Sequence, residues 1–478
     1  MSISREEIGR AVQEVLGSMK SAHTPEGRPL PPPPPPGSDG IFADVESAVN
    51  AARDAQRALS AGSLALRYDI VAQMRVVLRH NAELLSWMAR EETGLGRYED
   101  KVEKNLLVIN KSPGPEDLEP LVTTGDHGLT LLELAPFGVV GAITPTTNPT
   151  ATVINNAIGM LSAGNAAVFN AHPNAKNCSA KTVQLINQAV VAAGGPPNLV
   201  TCVASPTIES AQELMRHERV NLLVVTGGPG VVREAMKSGK RAICAGPGNP
   251  PVVVDETADL ERAGRDIVKG GSFDNQIVCT TEKEVICVDA AADRLKKAMV
   301  AAGAVELGGW QLGKLEKAVF SELRGPRRHG VVNKNLIGRN PSVIFKEMGL
   351  TLEDGVRMIL VEVPADHPLV WTEQMMPVMP LVRVRDVDAA IDLAREAEHG
   401  FRHTAVMHSR NLDALSRMAR VMDCSIFVKN GSSLAGLGGG GEGYTSFSIA
   451  SPTGEGMTRA RSFTRWRRCV LVDRFRIV

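Results

Sequence analysis

The most reactive side chains in this sequence are its seven cysteine thiols. Six of them lie mostly among apolar residues and are expected to be inert. These six are Cys178, Cys202, Cys244, Cys287, Cys424 and Cys469. Cys279 differs, because it lies in a polar stretch, Ser272–Thr281, that precedes a predicted strand at Glu284–Val288. A nucleophilic cysteine needs access to its substrate and a stabilised thiolate. A loop position favours access, but a cysteine can also lie in a loop without a role, so both interpretations stay open.

Glycine-rich turns point to a second kind of chemistry, the binding of phosphate by backbone N–H groups. One strand–turn–helix segment contains Thr226-Gly227-Gly228 and a helix beginning near Val231. Arg233 takes the place of the third glycine of the dinucleotide fingerprint, so a purely structural turn is an equal alternative. Gly436–Gly441 matches the letters G-x-G-x-x-G without a flanking strand and helix, and a flexible loop is expected there.

Length and composition limit the class of protein. A chain of 478 residues is too long for one hydrophobic core, so two or three domains are expected. Lys plus Arg (53) equals Asp plus Glu (53), which argues against a nucleic-acid or membrane partner. No membrane span, secretory signal or C-x-x-C pair is visible, so the sequence predicts reduced thiols, no metal site and a cytosolic setting.

Alternating strands and helices must position these residues. From Val139 to Ser238, short apolar strands alternate with helical segments, which predicts a doubly wound parallel sheet. A second such region runs from Asp255 to about Gly440. Its strands are predicted at Glu284–Val288, Met358–Val361, Leu381–Val384 and Thr404–Met407. Ile41–Ile109 is predicted to be helical and Gly128–Leu134 to be a strand. The last strand-like piece, Cys469–Val478, is isolated and could pair with a partner subunit.

The N-terminus is set apart from these regions. A capping box at Ser4–Glu7 begins an amphipathic helix within residues 1–19. Residues 20–40 form a Pro-rich linker that is expected to stay out of any core. The helix either packs on the rest of the protein through a disordered connector or acts as a docking peptide on a tether. The proline spacer favours the tethered docking peptide, because a packed helix needs no semi-rigid linker.

Several motifs, in a fixed order, resemble the aldehyde dehydrogenase superfamily. They are Glu133–Gly141, Thr144–Pro149, Thr226–Gly228, the Cys279 loop and Glu373–Pro377. The match extends from about Ile41 to the C-terminus. Three further motifs resemble the coenzyme-A-acylating branch: Phe273–Asn275, His172-Pro173 and Ala245–Pro251. The N-terminal peptide and spacer, with Gly436–Gly443 and Arg459–Arg468, are similar to the propionaldehyde dehydrogenases packaged in bacterial microcompartments.

This resemblance implies an α/β, aldehyde-dehydrogenase-like fold with two doubly wound α/β domains and a small β oligomerisation element. Residues 1–19 would be a targeting helix and residues 20–40 a linker. Residues 41–254 would form an NAD- and CoA-binding Rossmann-like domain, with an oligomerisation strand segment near 118–136. Residues 255–440 would form the catalytic domain, and residues 441–478 would return to the oligomerisation element.

The resemblance also implies partners and a location. The protein would be a homo-oligomer, either a dimer or a tetramer, in the lumen of a bacterial microcompartment. Residues 1–19 would bind a shell or cargo protein, and the pathway would be 1,2-propanediol degradation.

The resemblance assigns Cys279 as the nucleophile that attacks a short aliphatic aldehyde, most simply propionaldehyde. Asn148 and the backbone N–H of Cys279 would hold the developing oxyanion, although an Asn before Pro149 is also a common turn residue. Hydride would pass to NAD and leave a thioester on Cys279. His403 aligns with a histidine of the acylating branch and could take the proton of the CoA thiol.

Ala245 stands where hydrolytic members carry a glutamate base. A methyl group cannot accept a proton, so CoA rather than water is expected to release the acyl group. The alternatives are an acetaldehyde-specific acylating enzyme, a hydrolytic enzyme that produces free acid, and a scaffold that has lost the chemistry.

The resemblance further implies a set of cofactor-binding residues. They are Thr144, Pro145, Thr146, Thr147, His172, Pro173, Thr226, Gly227, Gly228, Val231, Ala245, Gly246 and Glu373. Glu373 would hold the nicotinamide ribose. His172-Pro173 replaces a lysine that binds the adenosine ribose in hydrolytic members. The missing cation favours NAD over NADP, because nothing there would pair with a 2′-phosphate.

Overall fold

The computed structural model describes residues 30–478, and the predicted helix within residues 1–19 lies outside them. The strands, in chain order, are β1 (Ile41–Phe42), β2 (Leu121–Gly125), β3 (Gly128–Pro136), β4 (Val139–Ile143), β5 (Ala166–Asn170), β6 (Val200–Val203), β7 (Leu222–Thr226), β8 (Ala242–Ala245), β9 (Pro251–Val254), β10 (Glu284–Val288), β11 (Ala304–Leu307), β12 (Phe320–Glu322), β13 (Val331–Val332), β14 (Met358–Glu362), β15 (Val378–Val384), β16 (Thr404–His408), β17 (Ile426–Lys429), β18 (Ile449–Ala450), β19 (Gly456–Met457) and β20 (Thr464–Val472).

The helices of the same residues follow the predicted apolar periodicity. They are α1 (Val45–Ala61), α2 (Leu64–His80), α3 (Ala82–Thr93), α4 (Tyr98–Lys111), α5 (Pro149–Ser162), α6 (Lys176–Ala192), α7 (Ile208–Arg216), α8 (Pro229–Lys237), α9 (Leu260–Ser272), α10 (Asp289–Ala301), α11 (Leu312–Val319), α12 (Pro341–Glu347), α13 (Val387–Ala397) and α14 (Leu412–Met422). None of the helices in residues 30–478 is long and apolar enough to cross a membrane.

The first large sheet has six strands in the order β1-β6-β5-β4-β7-β8, and every pair is parallel. If β1 is left out and β4, β5, β6, β7 and β8 are counted as strands 1 to 5, the order is 3-2-1-4-5, as in a dinucleotide-binding sheet. The order reverses between β4 and β7, where successive crossovers diverge to opposite sides. Ligands bind at such a switch point, beyond the carboxyl ends of the strands.

The second large sheet has seven strands in the order β11-β14-β15-β10-β9-β16-β17, again with parallel pairs. The prediction of two doubly wound α/β sheets is therefore confirmed. Strand β9 pairs with β10 and β16 in this sheet, whereas the predicted boundary at residue 254 assigned it to the first domain. Its apolar residues fit either sheet, so the sequence pattern could not decide between them.

A third sheet consists of β2, β3 and β20. Strand β20 pairs antiparallel with β3 along its whole length, from Thr464 opposite Pro136 to Val472 opposite Gly128. The prediction that the last strand-like piece, Cys469–Val478, is isolated is therefore wrong, because its first part continues a strand already paired within the chain. Exposed apolar side chains remain on this sheet, among them Val122 at 56% and Trp466 at 52% exposure.

Two expectations about loops also need correction. Pro34 of the Pro-rich linker is buried, so the part of the linker within residues 33–40 does join the packed structure. The glycine run after Ser433 is packed against its neighbours and does not form an open loop. A Cβ at Gly436 would lie 2.3 Å from Ile426 Cγ2, and one at Gly441 would lie 2.5 Å from the Ala435 carbonyl oxygen. The glycines are needed there because the backbone passes too close for a side chain.

Candidate active site

Two predicted catalytic residues, Cys279 and His403, and the predicted cofactor residue Glu373 each precede a strand of the second sheet, and these strands are close neighbours. Cys279 precedes β10, His403 directly precedes β16, and Glu373 precedes β15. The turn through Gly248 precedes β9. The strands are parallel and lie in the order β15-β10-β9-β16, so their amino ends meet at one edge of the sheet. Residues far apart in the chain are thereby brought to one place.

The buried ammonium group of Lys283 fixes the Cys279 loop through hydrogen bonds. Its Nζ donates to the carbonyl oxygens of Gln276 at 2.8 Å and Val278 at 3.2 Å, and to Thr281 Oγ1 at 2.8 Å. The backbone before the cysteine runs through positive φ at Asp274, Asn275 and Gln276 (49°, 52° and 66°). This left-handed stretch turns the chain sharply and leaves the Cys279 side chain partly exposed.

Burial of the Cys279 side chain favours the neutral thiol over the thiolate. Burial raises its pKa to about 12, and the Glu373 carboxylate adds to the rise, while Lys283 and Lys104 act against it. Burial also raises the pKa of Glu373 to about 7, opposed by Lys283 and by a hydrogen bond from the Gly248 N–H. Glu373 therefore lies within electrostatic reach of the thiol.

Asn148 occupies the N-cap position of α5, yet its side chain makes no capping hydrogen bond. Its Oδ1 instead accepts a 2.7 Å hydrogen bond from Lys104 Nζ on α4. An N-cap Asn normally accepts from the first turn of its own helix, which stabilises a helix by about 1 kcal/mol. The turn-residue alternative therefore does not account for this side chain. An ammonium group has no acceptor, so the Asn148 oxygen must face Lys104 and the NH₂ must face away from it.

Lys104 belongs to a buried charge cluster that includes Lys101 and Asp274. Lys101 and Lys104 are each 2% exposed, and their Nζ atoms lie 3.1 Å and 2.5 Å from Asp274 Oδ2. Burial raises the pKa of Asp274, but the two ammonium charges outweigh it and hold that pKa below its usual range. Burial lowers the pKa of Lys104 to about 8, against the pull of Asp274. Two cations on one anion leave a net positive charge behind Asn148.

His403 is buried beside the turn that carries Gly248. Its backbone N–H donates to Glu398 Oε1 at 2.8 Å, and its ring Nδ1 lies 2.8 Å from Thr404 Oγ1. Its Nε2 is buried without a hydrogen-bond partner among residues 30–478. Burial and the charge of Lys283 lower the pKa of His403 to about 4, so the ring is neutral at physiological pH. A neutral imidazole with a free nitrogen can accept a proton once a partner reaches it.

Gly248 packs between the nucleophile loop and His403. A Cβ at this position would lie 2.9 Å from the Cys279 carbonyl oxygen and 2.9 Å from His403 Cγ. This glycine thus allows the two residues to approach each other. Sequence reasoning quoted Gly248 only as part of a turn motif and assigned no role to it.

Replacing Gly248 with alanine is expected to lower the free energy of unfolding by about 1–3 kcal/mol, because the added methyl group overpacks a closed site. The rate of any reaction at Cys279 should fall as well, since the methyl group displaces the Cys279 carbonyl. Thermal unfolding and initial-rate measurements would test both effects. Gly313→Ala is the matched control, because its Cβ would have no neighbour within 4 Å. Wild-type stability and rate in the Gly248 variant would contradict the expectation.

Apart from Glu373, the predicted cofactor residues lie at the carboxyl edge of the first sheet. Thr144–Thr147 follow β4, His172 and Pro173 follow β5, Gly227 and Gly228 follow β7, and Ala245 ends β8 with Gly246 after it. Val231 lies in the first turn of α8. A Cβ at Gly227 would lie 2.7 Å from Val231 Cγ1. These residues therefore surround the switch point between β4 and β7.

Polar groups at this edge fit a nucleotide cofactor. Thr144 Oγ1 is buried without a hydrogen-bond partner within residues 30–478, so a donor or acceptor is left for a ligand. A Cβ at Gly228 would meet nothing within 4 Å, so the backbone there is open to close approach. Thr226 Oγ1 is already paired with Ser448 Oγ at 3.0 Å. His172 Nδ1 accepts from the Asn174 N–H at 3.1 Å, and Pro173 is exposed.

Sequence reasoning missed Lys104 and Lys283. A signal for Lys104 does exist, because Lys101 and Lys104 fall on the buried face of α4 together with Val108. Charged residues on an apolar helix face are almost never buried unless they are paired. Lys283 had no comparable signal, since it follows a polar loop. Among residues 30–478, no group of three or more His, Cys, Asp or Glu side chains is placed to hold a metal ion.

Comparison with known proteins agrees with this arrangement. The model of the "Aldehyde dehydrogenase family" matches residues 38–311. The chain belongs to the aldehyde dehydrogenase family. It is 49% identical to the acetaldehyde dehydrogenase (acetylating) EutE of Salmonella typhimurium over 100% of both chains.

Two solved structures are similar to this chain along most of its length. The first is the propionaldehyde dehydrogenase of Rhodopseudomonas palustris with bound CoA and an acylated cysteine. It is 48% identical, with a TM-score of 0.88, over 91% of this chain and 99% of that one. The second is the propionaldehyde dehydrogenase of the Clostridium phytofermentans fucose utilisation bacterial microcompartment. It is 44% identical, with a TM-score of 0.89, over 92% of this chain and 100% of that one.

Proposed function

We propose that this protein oxidises a short aliphatic aldehyde to its acyl-CoA thioester, with a nicotinamide cofactor as hydride acceptor. The proposal rests on the candidate nucleophile Cys279 together with Ala245, a methyl group at the position where the resemblance places the base of hydrolytic members. Ala245 ends β8, three residues before the Gly248 turn that contacts Cys279. The relatives named as acetylating dehydrogenases, and the CoA-bound structure with an acylated cysteine, support the same reaction.

The chain's own residues account for each step. After the thiol proton has passed to solvent, the Cys279 sulfur attacks the aldehyde carbon. The C=O π electrons then move onto the carbonyl oxygen, whose negative charge Asn148 and the Cys279 N–H stabilise. Preorganised donors of this kind are worth about 3–4 kcal/mol in other enzymes. Bound NAD would supply the hydride acceptor, and loss of the hydride from the Cys279 adduct would leave a thioester on Cys279. CoA sulfur then attacks the thioester carbon, the Cys279–carbon bond breaks, and acyl-CoA leaves.

Glu373 fits the role of a ribose ligand better than that of a hydrolytic base. Its carboxyl accepts from the Gly248 N–H and shares the electrostatic environment of Cys279 and Lys283. A ribose hydroxyl bound to this carboxyl would fix the nicotinamide beside the sulfur. The same contact would occupy the carboxylate and keep it from activating water.

His403 acts on the second half of the reaction. Its Nε2, buried without a hydrogen-bond partner among residues 30–478, is the atom that would accept the CoA thiol proton. Replacing His403 with glutamine is expected to slow CoA-dependent turnover by about 100-fold, because the variant cannot accept the proton. The first release of NADH, before CoA acts, should keep its wild-type rate. Stopped-flow absorbance with and without CoA separates the two phases, and equal slowing of both would contradict this role.

NAD is the proposed cofactor in preference to NADP. His172 and Pro173 follow β5, where a 2′-phosphate-binding cation would be expected, and neither residue is a lysine or arginine. Burial lowers the pKa of His172 below its usual value, which disfavours a cation at this position. The ratio of kcat/KM for NAD and NADP would test this preference.

Product analysis is the direct test of the proposed reaction. The enzyme would be supplied separately with C2, C3 and C4 aldehydes, together with NAD and CoA, and the acyl-CoA and free acid would be quantified. Acyl-CoA with a stoichiometric amount of NADH is expected. Propionaldehyde is the proposed substrate, and a higher kcat/KM for acetaldehyde would assign the enzyme to the acetaldehyde-specific alternative. Free acid as the main product would overturn the acylating assignment.

The protein is also proposed to assemble as a dimer or tetramer and to be enclosed in a bacterial microcompartment. The exposed apolar side chains of the β2-β3-β20 sheet support self-association, because such patches mark interaction surfaces. The similarity to an enzyme of a microcompartment supports the location. Enclosure would retain a volatile and reactive aldehyde.

Deleting residues 1–19 is expected to release the enzyme from purified compartments and to leave kcat and KM unchanged. The residues assigned to the chemistry all lie between Lys104 and His403, whereas residues 1–19 predict an amphipathic helix suited to a hydrophobic groove. Compartment purification followed by activity and immunodetection would measure the effect. The double substitution of Val12 and Leu16 by glutamate should have the same result. A truncated enzyme that still purifies with compartments at the wild-type level would contradict the targeting role.

A further inference from the structure

The geometry points to a paired device behind the oxyanion site: Lys104 and Lys283 each bind the oxygen of one donor amide and strengthen its N–H groups toward the substrate. The inference rests on the proposed function, since it concerns the two donors of that reaction. Both lysines are positioning residues, because each acts through an amide and does not itself touch the substrate.

The first half of the device is the Asn148 side chain. Lys104 Nζ donates to Asn148 Oδ1 at 2.7 Å, and one N–H of the Asn148 amide donates to Thr147 Oγ1 at 3.2 Å. The second N–H of the same NH₂ group remains for a ligand. The cation therefore fixes which end of the amide faces the site and at the same time draws electrons toward its oxygen.

The second half is the peptide bond between Val278 and Cys279. The Val278 carbonyl oxygen accepts three hydrogen bonds: from Lys283 Nζ at 3.2 Å, from Thr281 Oγ1 at 2.6 Å and from the Thr281 N–H at 3.1 Å. The N–H of this peptide bond belongs to Cys279 and lowers the pKa of the Cys279 thiol, acting against the effect of burial. A carbonyl that accepts so many bonds, one of them from a cation, makes its N–H a stronger donor.

The physical basis is the resonance of the amide group. Charge drawn onto the oxygen increases the double-bond character of the C–N bond and the positive charge on the N–H. Chains of hydrogen bonds strengthen one another in this way, and the effect grows where water is excluded. Hydrogen bonds that involve an ionised partner are also roughly twice as strong as neutral ones. Lys104 is 2% exposed and Lys283 is 0% exposed, so neither charge is screened by solvent.

Lys101 provides an internal comparison. It lies one turn before Lys104 on α4, is equally buried and also bonds Asp274, at 3.1 Å, but it has no contact with Asn148. If Lys104 served only to balance the charge of Asp274, it would be equivalent to Lys101. The contact with Asn148 is what distinguishes the two, and a test can exploit it.

The experiment measures the NADH burst without CoA in the full-length enzyme with propionaldehyde and NAD. Lys104→Met and Lys283→Met are each expected to slow the burst by about 10- to 100-fold, less than the loss of a whole oxyanion donor. Lys101→Met should slow it less than twofold. Lys104→Gln and Lys283→Gln keep a hydrogen-bond donor but lose the charge, and they should also slow the burst. They provide the same test if the Met variants do not fold. Melting temperature and NAD affinity would show that each variant is folded.

Double variants separate action through Asn148 from a structural role. Adding Lys104→Met to Asn148→Ala should slow the burst no further, because the amide through which Lys104 acts is gone. Adding Lys283→Met to Asn148→Ala should multiply the two effects, since Lys283 acts through the other donor. Multiplying effects for Lys104 and Asn148, or an equal loss in Lys101→Met, would overturn the inference.

Infrared spectroscopy of the acyl-enzyme gives a second readout. With ¹³C-carbonyl propionaldehyde, the thioester C=O stretch should move to higher wavenumber in Lys104→Met and Lys283→Met, because weaker donors polarise it less. It should stay in place in Lys101→Met. An unshifted band in both Lys104→Met and Lys283→Met would overturn this inference and leave the proposed function intact. The absence of any acyl-enzyme in the wild type would overturn the proposed function and, with it, this inference.

Discussion

Cys279→Ala is expected to lower the rate of acyl-CoA formation by about 10⁴-fold or more, as the loss of a nucleophile does in other covalent enzymes. The substitution removes a single sulfur from a partly exposed loop position whose backbone is held by Lys283. The fold and NAD binding should therefore remain, which thermal unfolding and NAD titration can confirm. Initial rates with aldehyde, NAD and CoA give the measurement.

Cys424→Ala is the matched control for this variant. Cys424 is also a partly exposed free thiol, and burial raises its pKa to about 12, as for Cys279. Its sulfur contacts only the Ile426 carbonyl oxygen at 3.1 Å among the hydrogen-bond partners in residues 30–478. It should keep wild-type turnover. Acyl-CoA formation at the wild-type rate by Cys279→Ala would remove the nucleophile assignment.

Without CoA, the wild-type enzyme is expected to release one NADH per Cys279 and then to slow by about 10²–10⁴-fold. The thioester has no efficient route to hydrolysis, because Ala245 presents a methyl group where a base would activate water. A burst of absorbance at the NADH wavelength, calibrated against active-site concentration, would measure the stoichiometry. Steady release of NADH with accumulation of free acid would refute the expectation.

A pair of variants at the same position isolates the role of the missing base. Ala245→Glu introduces a carboxylate and is expected to raise the slow rate without CoA, while Ala245→Gln adds the same bulk without a base. A rise in the Glu variant alone would show that proton acceptance, not space, limits hydrolysis. An equal rise in both variants would mean that the added side chain merely admits water.

The local pattern of the sequence predicted most of the elements. The strand Glu284–Val288 has the predicted bounds, because a short apolar run between turns admits few other structures. The strand predicted at Thr404–Met407 ends one residue later, at His408. The prediction of an isolated C-terminal strand was wrong. Its pairing with β3 depends on residues more than 300 positions away, which no local pattern reports.

The ordered motifs predicted the site in part. Cys279, Glu373 and His403 were named from their motifs, and the structure places each before a strand at the same edge of the second sheet. Their roles remain predictions, as does that of Asn148. Sequence reasoning gave no role to Lys104, Lys283 or Gly248, because their importance lies in what they contact.

The sequence by itself determined the alternation of strands and helices, the thiol at position 279 and the absence of a base at position 245. These are properties of residue type and short-range periodicity. Only the tertiary structure decided that β9 joins the second sheet, and that the amino ends of β15, β10, β9 and β16 meet. It alone paired Lys104 with Asn148 and with Asp274, 44 and 170 positions away. The physical reason is that strand order and the pairing of buried charges are set by long-range packing, where each buried ammonium group must find a partner or lose its charge.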